Sequence, residues 1–218
     1  MDNHAECLRV IRHTQQAYPN SIAEQETEVD RVLKGTAPPC VILTGHPPLF
    51  TIGTSGHKYD VLLQDIDGEH MDVFETGRGG EVTYHGPGQL IVYVIADLRE
   101  EQDLHKHVWR LEEMVIRTLT DFGVAASRNK RGIGVWSDGK KIAAIGVRCR
   151  KWISYHGVAL NIAPELKFFS GIVPCGMHDA PVTSMQKLGV CADRNEVEQH
   201  LLPHARELFA VPHHVLAA

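Results

Sequence analysis

The chain has 218 residues, which fits one large domain at ~150 residues per domain. Hydrophobic residues make up 43% and charged residues 22%, close to globular averages, which excludes a disordered, collagenous or coiled-coil chain. Twenty-two bases against 27 acids leave a formal charge of −5, which argues against a general nucleic-acid binder.

In chain order, residues 4–17 place Cys7, Leu8, Ile11 and Gln15 at near-helical spacing and predict a helix. Residues 21–34 open on Ser21-x-x-Glu24, a capping-box pattern, and stop at Gly35, so a second helix is expected there. Cys40–Thr44 and Leu49–Ile52 read as strands flanking a His-Pro-Pro turn. Residues 89–96 are an apolar run with β-branched residues, hence a buried strand. The strongest helix is 103–122, where Leu104, Val108, Leu111, Val115, Leu119 and Phe122 recur every three or four residues before Gly123. Residues 132–162 read as a meander of 133–137, 141–150 and 154–162, with Asp138-Gly139 as its first turn. A last helix is expected to start at Asp193, with Glu196 completing its cap and Pro203 kinking or dividing it. The order is not a regular βαβ alternation, so the expected class is α/β of the α+β kind. Its sheet is mixed and largely antiparallel, in one domain spanning 1–218.

The five cysteines are odd in number and none forms Cys-x-x-Cys, so reduced thiols are expected, not a disulfide framework. The longest unbroken apolar run is seven residues, far short of the ~20 that a spanning helix needs. The N-terminal residues lack an apolar signal core and carry acids. A cytoplasmic location and no membrane partner follow as expectations. No His-Glu-x-x-His and no His/Cys cluster with metal spacing occurs among the 14 histidines, so no metal is expected. His105, His107, His213 and His214 read as surface residues.

Three stretches carry candidate chemistry. Residues 77–89, GRGGEVTYHGPGQ, hold five glycines, which let a backbone approach a ligand closely. Arg78, Thr83, Tyr84 and His85 among them favour a ligand wall over a plain run of turns. In 140–162, Lys141 begins an apolar strand. A lysine there either snorkels at the strand end or is a partly buried amine that moves protons. In 168–185, Cys175 lies between Pro174 and Gly176, a tight-turn sequence that is expected to leave backbone amides around the thiol and little apolar shielding. Cys149, by contrast, reads as an inert core thiol. GVWSDGK at 134–140 matches G-x-x-x-x-G-K. Lys141 follows where a phosphate loop needs Ser or Thr, and the segment reads as a hairpin. Nothing in the sequence clearly requires ATP. Residues 128–151 carry eight bases against Asp138 alone, a net +7 in a chain of −5, leaving −12 elsewhere. That stretch reads as a solvated face or as a docking patch for an acidic partner.

HPPLFTIG (46–53), RGGEVTYHGPGQ (78–89), KKIAAIGVR (140–148), SYHGVALNI (154–162) and PCG with VTSM (174–185) together resemble the lipoate-protein ligase B family of octanoyltransferases. Thr54 stands where many relatives carry a basic residue. The resemblance implies the catalytic fold of biotin and lipoate ligases. It also implies transfer of an octanoyl or lipoyl group, the first step of endogenous lipoate biosynthesis, with no cofactor. The implied donor is octanoyl-acyl carrier protein. The implied acceptors are lipoyl domains of 2-oxoacid dehydrogenases and the glycine cleavage H protein. By match to the family pattern, Cys175 is the nucleophile and Lys141 its acid/base partner. The acyl chain is implied to lie along Arg78, Gly79, Gly80, Glu81, Val82, Thr83, Tyr84 and His85. It would continue along Ala144, Ile145 and Gly146, and along Gly157, Val158 and Ala159. An ATP-dependent lipoate or biotin ligase on the same fold is the alternative; it leaves Cys175 without a duty. A non-enzymatic module holding an acylated protein would keep the glycine-rich slot but would not need both Lys141 and Cys175.

Overall fold

The structure is a computed structural model and describes residues 8–173 and 181–210. The chain forms β1 (Arg9–Arg12), α1 (Tyr18–Leu33), β2 (Cys40–Thr44), β3 (Leu49–Ile52), β4 (Asp65–Ile66), β5 (Glu69–His70), β6 (Asp72–Glu75) and β7 (Val82–His85). It continues with β8 (Gln89–Asp97), α2 (Leu104–Asp121), β9 (Ser127–Asn129), β10 (Gly132–Ser137), β11 (Lys140–Arg150), β12 (Ile153–Asn161) and α3 (Arg194–Phe209). The main sheet runs in the order β1-β2-β8-β12-β11-β10-β9. Only its β1–β2 pair is parallel. A second sheet has the order β6-β3-β7, with β3 and β6 parallel. The class is therefore α/β with a mixed, largely antiparallel sheet.

Both faces of the main sheet are covered, and strict alternation assigns the side chains. Leu90, Val92, Val94 and Ala96 of β8 join Leu111, Val115 and Leu119 of α2 and Val197 and Leu201 of α3. Ile91, Tyr93 and Ile95 face the other way, toward Val29 and Val32 of α1. That two-sided burial explains why β8 reads as an unbroken apolar run. The second sheet shields its own cluster, with Phe50, Ile52, Val82, Tyr84, Phe168 and Phe169.

Local signals set most boundaries. Asp193 caps α3 by accepting from the Glu196 N–H (2.9 Å), and Glu196 accepts in return from the Asp193 N–H (2.9 Å). Asp103 caps α2 by accepting from the Lys106 N–H (2.9 Å). Asp138 and Gly139 turn the β10–β11 hairpin at φ +48° and +70°, the left-handed pair such a turn demands.

Four expectations are corrected. In place of a helix over 4–17, residues 9–12 are an edge strand. It pairs with β2 some 30 residues away and sends Val10 and Ile11 to opposite faces. Helix α1 begins at Tyr18, with Ala17 as its cap and Pro19 in its first turn. Ser21 is wholly buried inside it, and Glu24 instead contacts His13 (2.9 Å) and Gln16 (3.1 Å). Pro203 does not divide α3, which runs continuously from Arg194 to Phe209. Val197, Leu201 and Ala205 are wholly buried while Pro203 is exposed, so packing holds the helix and the missing N–H falls on the solvated side. His107 is buried against Phe209 and is not a surface residue (ring centroids 5.6 Å apart), although His105 is exposed. Among the described residues, no helix is long and apolar enough to cross a membrane.

Candidate active site

A cavity of about 270 Å³ lies between β7 and the α1-facing side of β11 and β12. Its floor follows from one stretch of register. Gly146 pairs with Gly157 and Ala144 with Ala159, so four small residues fall on one face of adjacent strands. A Cβ on Gly157 would stand 2.3 Å from the Val92 carbonyl oxygen, and one on Gly146 would stand 2.7 Å from the Gly79 carbonyl oxygen. Neither backbone atom yields, so only glycine lets these strands and the Arg78 loop come this close. The roof is Arg78, Gly80, Glu81, Val82, Thr83 and His85.

Lys141 stands at one end of this floor. Its N–H donates to the Pro181 carbonyl (2.8 Å), and its carbonyl accepts from the Thr183 N–H (2.9 Å). Its Nζ donates to the Ile133 carbonyl (3.1 Å) and lies 5.0 Å from the centre of the Trp136 ring. The residue is only 8% exposed, so it does not snorkel. A relay of amide side chains fixes the strand that Lys141 bonds. Gln89 Oε1 accepts from the Gly86 N–H (3.1 Å), and its Nε2 donates to Asn161 Oδ1 (2.9 Å). Asn161 Nδ2 then donates to the Thr183 carbonyl (2.9 Å). The GPGQ, ALN and VTS strings thus cooperate to hold residues 181–183 against Lys141.

The opposite end is polar and buried. Arg78 is buried and donates to the Thr51 carbonyl (2.8 Å), Thr51 Oγ1 (2.8 Å) and the Glu81 carbonyl (2.9 Å). Tyr93 Oη contacts His46 Nε2 (2.7 Å), and His85 Nε2 contacts Thr51 Oγ1 (3.2 Å). Burial, helped by the charge of Arg78, pushes His156 down to about 3 and holds His85 well below the usual imidazole range. Burial also pushes the Tyr18 phenol up to about 12. His156 sits at φ +62°, where the β8–β12 ladder skips it, and the Gln25 side chain accepts from its N–H (2.9 Å). Such a conformation for histidine costs free energy that the surrounding packing must offset.

These histidines predict acid lability. An imidazole held neutral in the folded state binds its proton more readily when unfolded, at about pH 6.5. Its contribution is fully present above that pH. It is lost as pH falls toward the folded values, about 4 for His107 and about 3 for His156. Each withheld proton weighs roughly 1.4 kcal/mol per pH unit inside that window. The melting temperature should therefore fall steadily from about pH 7 to about pH 5. A flat profile over that range contradicts this.

Most residues singled out from the sequence come together here. Arg78, Gly80, Glu81, Val82, Thr83, His85, Lys141, Ala144, Ile145, Gly146, Gly157, Val158 and Ala159 all line the cavity. Two do not. Alternation along β7 sends Tyr84 into the apolar cluster, with ring centroids 5.4 Å from Phe168 and 5.3 Å from Phe169. Gly79 instead ties its loop to β11, donating to the Val147 carbonyl (2.8 Å). Cys175, with the rest of 174–180, lies outside the described residues, as do His213 and His214. Cys149 is only partly buried, and the core thiol is Cys40, pushed by burial up to about 12. Tyr18, Tyr93, His156 and Asn161 also line the cavity without having been singled out. His156 and Asn161, both inside the SYHGVALNI string, carried a local signal; Tyr18 and Tyr93 carried none.

A match to the lipoyl protein ligase A/B catalytic domain spans residues 17–206. The chain belongs to that family. Within it, an octanoyltransferase of Paramagnetospirillum magneticum is 45% identical over 198 residues, covering 88% of this chain and 92% of the relative. A lipoate-protein ligase A solved with ATP shares the fold at TM-score 0.70 and 18% identity, covering 92% of this chain and 84% of its own. The biotin protein ligase of Aquifex aeolicus does so at TM-score 0.53 and 13% identity, covering 91% and 67%. In this member of the family, GVWSDGK is the β10–β11 hairpin and not a loop entering a helix. Three of the eight bases in 128–151 are engaged within the fold. Arg128 pairs with Glu112 (2.9 Å) and Glu113 (2.8 Å), Arg150 pairs with Asp30, and Lys141 is buried.

Proposed function

We propose that the chain moves an octanoyl or lipoyl group from acyl carrier protein to a lysine of a lipoyl domain, by way of a thioester on Cys175. The Cys175 thiolate attacks the donor thioester carbonyl, the bond to the carrier sulfur breaks, and the carrier thiolate takes up the proton that Cys175 gave up. The acceptor amine then attacks the acyl-enzyme, an amide forms and the Cys175 sulfur leaves. Lys141 carries the proton in both halves. Lipoyl domains of 2-oxoacid dehydrogenases and the glycine cleavage H protein are the acceptors.

The observation that carries this reading is the position of Lys141 at one end of a slot with a small-residue floor. Its backbone is bonded to Pro181 and Thr183, and Pro181 follows Cys175 by six residues in sequence. The relatives named octanoyltransferase support the acyl group and the reaction class. The ligases of known structure support the fold alone, and a thioester donor is already activated, so the ATP-dependent alternative has no specific observation in its favour. Intact-mass measurement with octanoyl-acyl carrier protein, without ATP or acceptor, should give one added octanoyl group that maps to Cys175. No adduct, or an adduct on another residue, overturns the mechanism.

A further inference from the structure

Glu81 is the one acid among the described residues that line the cavity. Its backbone is fixed, since its carbonyl accepts from the Gly53 N–H (3.1 Å) and from Arg78 Nη2 (2.9 Å). Gly80 before it turns at φ +87°, and the Gly80 carbonyl accepts from the Ser55 N–H (3.0 Å). The side chain is not satisfied in the same way. Its Oε2 is sealed from solvent and accepts no hydrogen bond among the described residues. Burial, reinforced by Asp60, pushes its carboxyl up, and Lys141 and His57 draw it back only in part. A desolvated carboxylate oxygen without a donor carries an uncompensated desolvation cost. An apolar acyl chain laid against it leaves that cost in place. A cationic N–H donor removes it.

The neighbours say where such a donor comes from. Ser55, Arg131 and Ile133 are exposed and share the lining with Glu81 and Lys141, whereas Tyr18, His85, Tyr93 and His156 at the other end are buried. Glu81 therefore stands where a substrate enters. The transferase reaction brings one cation through that opening, the acceptor lysine, which is an ammonium at neutral pH because its unperturbed pKa is about 10.4.

Resting on the transferase reading, we infer that Glu81 receives the ε-ammonium of the acceptor lysine at the mouth of the cavity and aims its nitrogen at the acyl thioester. The ammonium gives one proton to neutral Lys141, and the freed lone pair forms the C–N bond. The C–S bond breaks, and the second N–H proton passes to the leaving thiolate. Glu81 stays unprotonated throughout, so its part is binding and orientation. This places Glu81 on the acceptor path, whereas the family resemblance puts it along the acyl chain.

The test uses octanoylated full-length enzyme, prepared with octanoyl-acyl carrier protein and freed of donor. Wild type and Glu81→Gln are each discharged by a lipoyl domain or by hydroxylamine, a nucleophile that is neutral at neutral pH. Loss of a charge-assisted contact should slow discharge to the lipoyl domain about 10-fold or more relative to discharge by hydroxylamine. Glu81→Asp, which keeps the charge, should recover part of that ratio, and it replaces Glu81→Gln in the comparison if the amide variant does not acylate. Equal slowing with both nucleophiles, or no slowing, overturns the assignment while leaving the transferase reading intact. Absence of any octanoyl adduct on wild type overturns both.

Discussion

Lys141→Ala should lower turnover by at least the ~100-fold typical of general acid–base groups. The loss should appear in both half-reactions, since each requires a proton to leave a nucleophile. The Lys141 main chain is tied to Pro181 and Thr183, contacts that alanine preserves. Its Nζ donates to a neutral carbonyl, that of Ile133, and faces the Trp136 ring. Lys141→Arg separates two roles. A guanidinium keeps a positive charge at position 141 but cannot be deprotonated in proteins. The expected result is that arginine fails as alanine does. Near wild-type turnover in Lys141→Arg would reduce the role of Lys141 to electrostatic stabilisation of a thiolate. Single-turnover acylation and deacylation rates, read by intact mass, decide between the two.

The legible parts of this fold are those that short-range chemistry fixes. Asp193 and Glu196 cap α3 using atoms three residues apart, and Asp138-Gly139 closes its hairpin with its own dihedrals. The β8 strand is readable because both its faces are covered. What failed depends on distant partners. Residues 9–12 are a strand only because β2 lies beside them, and His107 is buried only because Phe209 of α3 covers it. The site divides in the same way. Ala144, Gly146, Gly157 and Ala159 belong to quoted strings, but their joint function as a floor comes from the β11–β12 register. Tyr18 enters from α1 and Tyr93 from the middle of β8, so no local pattern links either to the cavity. Tyr84 misled in the opposite sense, since its string is distinctive while strand alternation turns it away.

On the proposed transfer, that floor also sets how much chain the slot admits. Ala144 and Ala159 face each other across two strands and line the cavity with no side chain beyond Cβ. Replacing Ala144 by leucine adds three carbons to a space of about 270 Å³ whose opposite wall is the fixed Arg78 loop. The leucine takes room that about three methylenes of the acyl chain would occupy. At about 0.8 kcal/mol per buried methylene, octanoyl loses about 2.4 kcal/mol of binding, roughly 50-fold, relative to a chain short enough to avoid the leucine. Ala144→Leu should therefore invert a preference for octanoyl over butanoyl or hexanoyl donors, with the chemical step for the short donor retained. The measurement is kcat/KM for carrier proteins charged with four, six and eight carbons. An Ala144→Leu enzyme that loses activity equally for all three lengths has been damaged elsewhere in the site. One that keeps its octanoyl preference shows that the acyl chain does not lie along β11. The two outcomes are separable because the floor is backbone-defined: the leucine changes the depth of the slot while Gly146 and Gly157 still set the spacing of the strands.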